Sequence, residues 1–313
     1  MIEVLNLTKT YGSHKALDNI SFKINKGEII GFLGPNGAGK STTMNIITGF
    51  LSSTEGTVKL DDIDILENPI EFKKKIGYLP EIPPLYMDMT VKEYLTFVCK
   101  LKKITKDKIK QEINRVTELT KIKHVTGRLI NNLSKGYKQR VGLSQALIGD
   151  PEVLILDEPT VGLDPKQIIE IRTLIKDLSK QRTVILSTHI LSEVNVVCDR
   201  VLIINKGRIL TSDTVENLTR TLSESNRISI RLNVPETNKE NIISDIMKIP
   251  GVKEVLCLGQ FEKNTSDYLI YVKENNDIRL NIFNMCKNSN YPLLILKPID
   301  LTMEDIFLKV TEG

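Results

Sequence analysis

The chain has 313 residues, 41% hydrophobic and 26% charged, and 43 Lys and Arg against 39 Asp and Glu leave a net charge of only +4. That length suits two domains with a sizeable core, and so small a basic excess argues against a dedicated nucleic-acid binder. MIEVLNLTKTYG lacks the basic flank and apolar run of a secretory signal, and no apolar stretch approaches the roughly 18 residues of a spanning helix. Cys99, Cys198, Cys257 and Cys286 form no C-x-x-C pair, which points to reduced thiols in the cytoplasm rather than a disulfide framework or zinc site.

From residue 1 to about 215, short β-rich runs alternate with helical stretches. Residues 2–7, 20–24, 28–33, 75–79, 153–156, 183–187 and 201–205 read as strands. Several are continuous apolar runs, as in strands buried on both faces of an α/β sheet. Gly-Lys-Ser-Thr at 39–42 opens a helix that Gly49 ends. Between Thr90 and Gly127 strand signals vanish, and VKEYLTFVCKLKKI and KDKIKQEINRVTELTKI carry apolar residues at helical spacing. This is the pattern of a helical insertion, over about 85–145. Its lysines read as a solvated face, with a phosphate- or lipid-facing patch as the alternative.

The polar stretch TRTLSESNR at 219–227 marks a boundary, giving expected domains 1–220 and 221–313. Beyond it RISIRLNV reads as a strand, KENIISDIMKI as a helix, GVKEVLCL and DYLIYVK as strands, RLNIFNMCKN as a helix, PLLILKP as a strand and TMEDIFLKV as a final helix. The β-α-β-β-α-β order is that of the ferredoxin-like split motif, a small α+β domain.

GPNGAGKS at 34–41 fits G-x-x-x-x-G-K-[ST] between an apolar strand and a helix. Gly34, Gly37 and Gly39 let the backbone curl so that its N–H groups face an anion, and the following helix adds its N-terminal partial charge. Lys40 can reach the β- and γ-phosphates, and the Ser41 hydroxyl can ligate Mg²⁺. VLILDEPT at 153–160 ends a buried strand in two carboxylates, where α/β sheets bind ligands. Asp157 can hold Mg²⁺, directly or through water, and Glu158 can polarise an attacking water at the γ-phosphate. His189 closes VILSTH, a strand expected beside that of Asp157, which makes a γ-phosphate contact its reading.

With Tyr11, GPNGAGKST, GYLPE at 77–81, LSKGYKQR at 133–140, LILDEPT, VGLD at 161–164 and His189 in this order, residues 1 to about 220 resemble the nucleotide-binding subunit of an ATP-binding-cassette (ABC) transporter. The resemblance implies a P-loop NTPase cassette with a mixed sheet core, an antiparallel β subdomain and the helical insertion. It implies ATP and Mg²⁺ as cofactors. Tyr11 would stack on adenine, Pro35, Asn36, Ala38 and Thr42 would belong to the phosphate-binding loop, Glu158 would be the catalytic base and His189 the switch at the γ-phosphate. Ser134, Lys135 and Gly136 would approach the nucleotide of a second cassette, in a homodimer or with a paralogue, and Asp164 would make a contact across that interface.

Two departures stand out. The family usually has Gln, a Mg²⁺ ligand, where this chain has Glu81, and LSGGQ where this chain has LSKGY. GYLPE, LSKGYKQR and VGLDP together resemble the subgroup that drives drug, lipid and polysaccharide exporters or gliding motility. The resemblance therefore implies a separate multispanning permease, received near Glu81 and the insertion, and a peripheral place on the cytoplasmic face of the membrane. No nucleic-acid partner is expected. The alternatives are a soluble ATPase acting on ribosomes or DNA, and a regulatory module whose C-terminal domain senses a small ligand.

Overall fold

IIGFL, VLILD and TVILST are buried along their whole length, and they form the centre of one sheet. In the computed structural model the described residues are 1–222, 227–234, 238–273 and 277–299, with Asp305 and Phe307. The chain divides into two compact units, Met1–Val215 and Glu216–Lys309. The final helix expected at 302–310 lies outside the described residues apart from Asp305 and Phe307, both of which are helical.

The first unit runs β1 (Ile2–Tyr11), β2 (His14–Ile24), β3 (Ile29–Leu33), α1 (Lys40–Ile47), β4 (Glu55–Leu60), β5 (Ile63–Asp64), α2 (Pro69–Lys74) and β6 (Ile76–Leu79). It continues with α3 (Val91–Leu101), α4 (Lys106–Leu119), α5 (Lys135–Leu147), β7 (Val153–Asp157), α6 (Pro165–Ser179), β8 (Thr183–Thr188), α7 (Leu191–Val197), β9 (Arg200–Asn205) and β10 (Arg208–Thr214). The main sheet has the order β10-β9-β3-β8-β7-β6, all parallel except β10. A second, antiparallel sheet has the order β2-β1-β4-β5.

Because side chains alternate along a strand, the main sheet feeds two cores. Ile30, Phe32, Ile155 and Ile185 pack with Leu7, Leu17, Met44 and Ile47, from the antiparallel sheet and α1. Leu154, Leu156, Val184 and Leu186 face the other way, against Leu95, Val141, Leu174 and Ile175 of α3, α5 and α6. Thr90 and Glu93 close a reciprocal capping box at the start of α3, with Glu93 N donating to Thr90 Oγ1 at 3.2 Å and Thr90 N to Glu93 Oε2 at 2.8 Å. The helical character expected for residues 90–127 is thus met by α3 and α4.

β4 and β10 were not anticipated from the sequence. The burial of β10 alternates only between half-buried and exposed, so its apolar signal is weak, and its pairing with β9 is what defines it. Nor does the polar stretch at 219–227 begin as coil. A helix, α8 (Val215–Leu222), runs into it, with Val215, Leu218 and Leu222 at helical spacing.

The second unit then runs β11 (Arg227–Leu232), α9 (Lys239–Met247), β12 (Val252–Gly259), β13 (Ser266–Val272), α10 (Arg279–Asn288) and β14 (Leu293–Ile299). Its antiparallel sheet has the order β12-β13-β11-β14. Ile230, Tyr268 and Ile270 pack against Ile242 and Ile246 of α9 and Ile282 of α10, a core of its own.

Ile185 is fully buried at the centre of β8. Ile185→Ala removes packed methylenes where the sheet cannot collapse, so we expect a loss of about 2–5 kcal/mol, measured by denaturant unfolding of the first unit's transition.

Candidate functional site

The parallel alignment of β3, β7 and β8 brings three chain segments to one edge of the sheet: the loop after Leu33, the Asp157 strand end, and His189 just past Thr188. The phosphate-loop residues fold as the glycine pattern requires. Gly37 and Gly39 have φ of 79° and 108°, and Gly39 is the residue from which α1 departs. A Cβ on Gly34 would stand 2.3 Å from the Ile204 carbonyl oxygen, so this glycine is set by close backbone approach. Lys40 is buried, and its ammonium donates to the carbonyl oxygens of Gly34 at 2.7 Å and Pro35 at 3.3 Å. Burial pulls its pKa below the usual lysine value, while Glu158, Asp157 and Glu81 pull it back up.

A cavity of about 550 Å³ opens here. Tyr11, Pro35, Asn36, Gly37, Gly39, Lys40, Ser41, Thr42, Glu81, Glu158 and His189 all line it. Gly34 and Ala38 serve the loop from behind, Gly34 through its carbonyl and Ala38 through backbone bonds to Pro35 and Gly207. His14 and Ala16 also line the cavity and were not singled out from the sequence. His14 pairs with Tyr11 across the β1–β2 hairpin, a neighbourhood legible only once that hairpin register is known. The Lys9 ammonium lies 5.2 Å from the centre of the exposed Tyr11 ring.

Asp157 and Glu158 are both buried. Burial raises the Asp157 pKa and the nearby Glu81 carboxylate adds to it, opposed by the Ser187 and Ser41 hydroxyls and by the charge of Lys40. Burial raises that of Glu158 as well, against the hydrogen bond and charge of His189 and the charge of Lys40. Glu158 has φ 48°, a left-handed conformation that costs a non-glycine residue on the order of 1–3 kcal/mol. Its amide donates to the Ser187 carbonyl at 2.9 Å, and its Oε1 lies 2.8 Å from His189 Nδ1. Among the described residues, Asp157 Oδ1 and Glu158 Oε2 are buried without a hydrogen-bond partner. Such polar atoms are costly unless a ligand satisfies them. An all-oxygen set of Ser41, Asp157 and Glu81 suits a hard divalent cation such as Mg²⁺.

LSKGYKQR lies elsewhere. Ser134 caps α5, but its Oγ accepts from Tyr137 N at 3.5 Å, a long and weak bond. Ser134, Gly136 and Asp164 line a second cavity of about 400 Å³, together with Tyr137, Arg140 and Gln167. Asp164 caps α6 by accepting from Gln167 N at 2.9 Å. The Gln167 side chain lies against Gly136, where a Cβ would come within 2.5 Å of its Oε1. Lys135 lines neither cavity, and its ammonium lies over Gly162, 2.0 Å from where a Cβ would stand. Tyr137, where the family's usual Gln would be, pairs with His124, its hydroxyl 3.0 Å from Nε2.

A glycine loop opening a helix beside a strand that ends in acids defines the P-loop class of nucleoside triphosphatases. The chain belongs to the ABC transporter family, as its ATP-binding cassette. The family description "ABC transporter" matches residues 17–161. The bacitracin transport ATP-binding protein of Bacillus licheniformis is 37% identical over 247 residues, covering 78% of each chain. The linearmycin resistance ATP-binding protein of Bacillus subtilis is 36% identical over 219 residues, covering 70% of each. A dimeric ATP-binding cassette solved in a post-hydrolysis state with ADP and Pi superposes with a TM-score of 0.62 at 28% identity, covering 69% of this chain and 99% of that one. The protein is therefore an ATPase of this family.

At Gly39 an added Cβ would meet Leu17 at 2.7 Å and the Ala16 carbonyl at 2.9 Å, and its φ favours glycine. Gly39→Ala should weaken ATP binding by about tenfold or more, read by titration calorimetry. An unchanged Kd would show that the loop tolerates the side chain.

Proposed function

We propose that the chain is the ATP-binding and ATP-hydrolysing subunit that powers a separate membrane permease, works in export, and sits on the cytoplasmic face of the membrane through that permease. The observation that carries this reading is the division of the site. The phosphate loop, Glu158 and His189 line one cavity, while Ser134, Gly136 and Asp164 line another. Two cassettes placed head to tail would join these halves into two complete sites, each holding ATP between the phosphate loop of one subunit and the signature segment, LSKGYKQR at 133–140, of the other. The dimeric state of the related cassette with ADP and Pi supports this arrangement. The resistance named for the linearmycin relative supports the export direction. Among the described residues no helix is long and apolar enough to cross a membrane, which supports a separate permease.

In this reading Tyr11 stacks on adenine, and residues 34–42 hold the phosphates, with the Lys40 ammonium leaving its loop carbonyls for the β- and γ-phosphates. Ser41, Asp157 and Glu81 hold Mg²⁺, which when bound neutralises phosphate charge. Glu158 Oε2 takes the proton of the attacking water as general base, while His189, fixed by Oε1 of the same carboxylate, contacts the γ-phosphate. Ser134 and Gly136 meet the γ-phosphate held by the partner, Lys135 places its cation over Gly162 near the dimer seam, and Asp164 makes a contact across that seam. ATP closes the dimer, hydrolysis reopens it, and the permease follows. Residues 221–313 form a ferredoxin-like accessory domain that serves packing or dimerisation. Its β-α-β-β-α-β order and the strand order β12-β13-β11-β14 support that topology.

Glu158→Gln should keep ATP affinity within about threefold while lowering phosphate release by about a hundredfold or more; turnover at the wild-type rate would remove Glu158 from this role. Ser134→Arg should leave nucleotide binding to the monomer intact and abolish ATP-driven dimerisation, followed by sedimentation. Loss of monomer binding with normal dimer closure would reverse the assignment of the two halves.

A further inference from the structure

Glu193 stands four residues beyond His189, in the first turn of α7, and is 1% exposed. A carboxylate taken so far from water is costly unless each oxygen is paired. Both of its oxygens are. Oε1 accepts a short hydrogen bond from the Thr160 hydroxyl, and Oε2 accepts one from the Thr188 hydroxyl at 3.0 Å. Arg172 of α6 brings Nη2 to 3.6 Å from Oε1. Thr160 and Thr188 are themselves buried, and Thr188 Oγ1 also accepts from Ile190 N at 3.0 Å.

The place of the two threonines gives this cluster its meaning. Thr160 follows Glu158 by two residues, and Thr188 immediately precedes His189. One buried carboxylate therefore bonds both to the turn that carries Glu158 and to the strand end that carries His189. Glu158 sits there at positive φ, a conformation that persists only where its surroundings over-determine it.

We propose that Glu193 is a positioning residue, a bidentate clamp that holds Glu158 and His189 in their hydrogen-bonded register, with Arg172 balancing its charge from α6. The inference rests on the roles proposed above for Glu158 and His189. It makes Glu193 a determinant of turnover rather than of nucleotide affinity, because the clamp bonds neither to the phosphate loop nor to Tyr11.

The test is steady-state ATPase kinetics of the purified full chain with Mg²⁺, alongside nucleotide Kd and thermal unfolding. Glu193→Ala should lower kcat by about thirtyfold or more while KM and Kd stay within about threefold. Glu193→Gln keeps the side-chain length and an acceptor oxygen, and should bring kcat back to within about fivefold of wild type. Thr160→Val and Thr188→Val each remove one arm without changing side-chain volume, and they keep the question answerable if Glu193→Ala does not fold. Releasing either loop disables the same pair, so the double variant should lose about as much as the worse single one. A folded Glu193→Ala with normal kcat would overturn the clamp. So would Kd and kcat failing together without rescue by Gln, or threonine variants whose effects simply multiply. Glu158→Gln serves as the reference. If it turns over normally, the roles beneath this inference fall and the inference with them. If it is inactive beside a fully active Glu193→Ala, only the clamp falls.

Discussion

The parallel register of β3, β8 and β7 is the constraint on which the rest of the first unit depends. Ile30 pairs with Ile185 and Ile155 pairs with Ile185, so one row of buried side chains fixes three strands against one another. Parallel strands all end on the same edge, and so the phosphate loop, the Asp157–Glu158 pair and His189 arrive together although they are far apart in the chain. Hydrophobic packing on both faces of the sheet holds that edge rigid, which a site built from loops requires.

Against that rigid edge the electrostatics are deliberately unsatisfied. Two carboxylates and a lysine are buried within one small region, and burial shifts each of them toward its neutral form. The attraction of Lys40 for the two carboxylates offsets part of this cost, and on the proposed reading the buried carboxylate oxygens left without partners among the described residues are where phosphate and cation would bind. The left-handed Glu158 adds backbone strain at the same point. Stability is given up where charge has to be handled, and it is recovered in the two apolar cores on either side of the sheet.

The signature segment is organised by different forces. Gln167 against Gly136, Lys135 over Gly162 and Tyr137 against His124 anchor the start of α5 to α6, to the loop before it and to the helical insertion. The departures at Lys135 and Tyr137 are thus intramolecular contacts in this chain. Lys135 ties the signature segment to the loop that carries Asp164, so on the proposed reading a movement of one would be felt by the other.

Much of this was legible in the sequence, because the phosphate loop, the strand-end carboxylates and the signature are contiguous stretches whose chemistry is local. Glycines at fixed offsets dictate a backbone curl, and a fully apolar run dictates a buried strand, whatever lies elsewhere. The central strands and the helices of the insertion followed from periodicity for the same reason. β4 and β10 did not, since half-exposed strands carry little apolar signal of their own and exist through their partners. Nor did the bonding of Glu193 to Thr160 and Thr188, the place of His14 in the nucleotide cavity, or the separation of the two cavities. By itself the sequence determined the glycine curl that presents Lys40 and the buried strand that ends in two carboxylates; only the tertiary structure decided how these groups are held, because those contacts join residues that share no local pattern and meet only when the sheet is assembled.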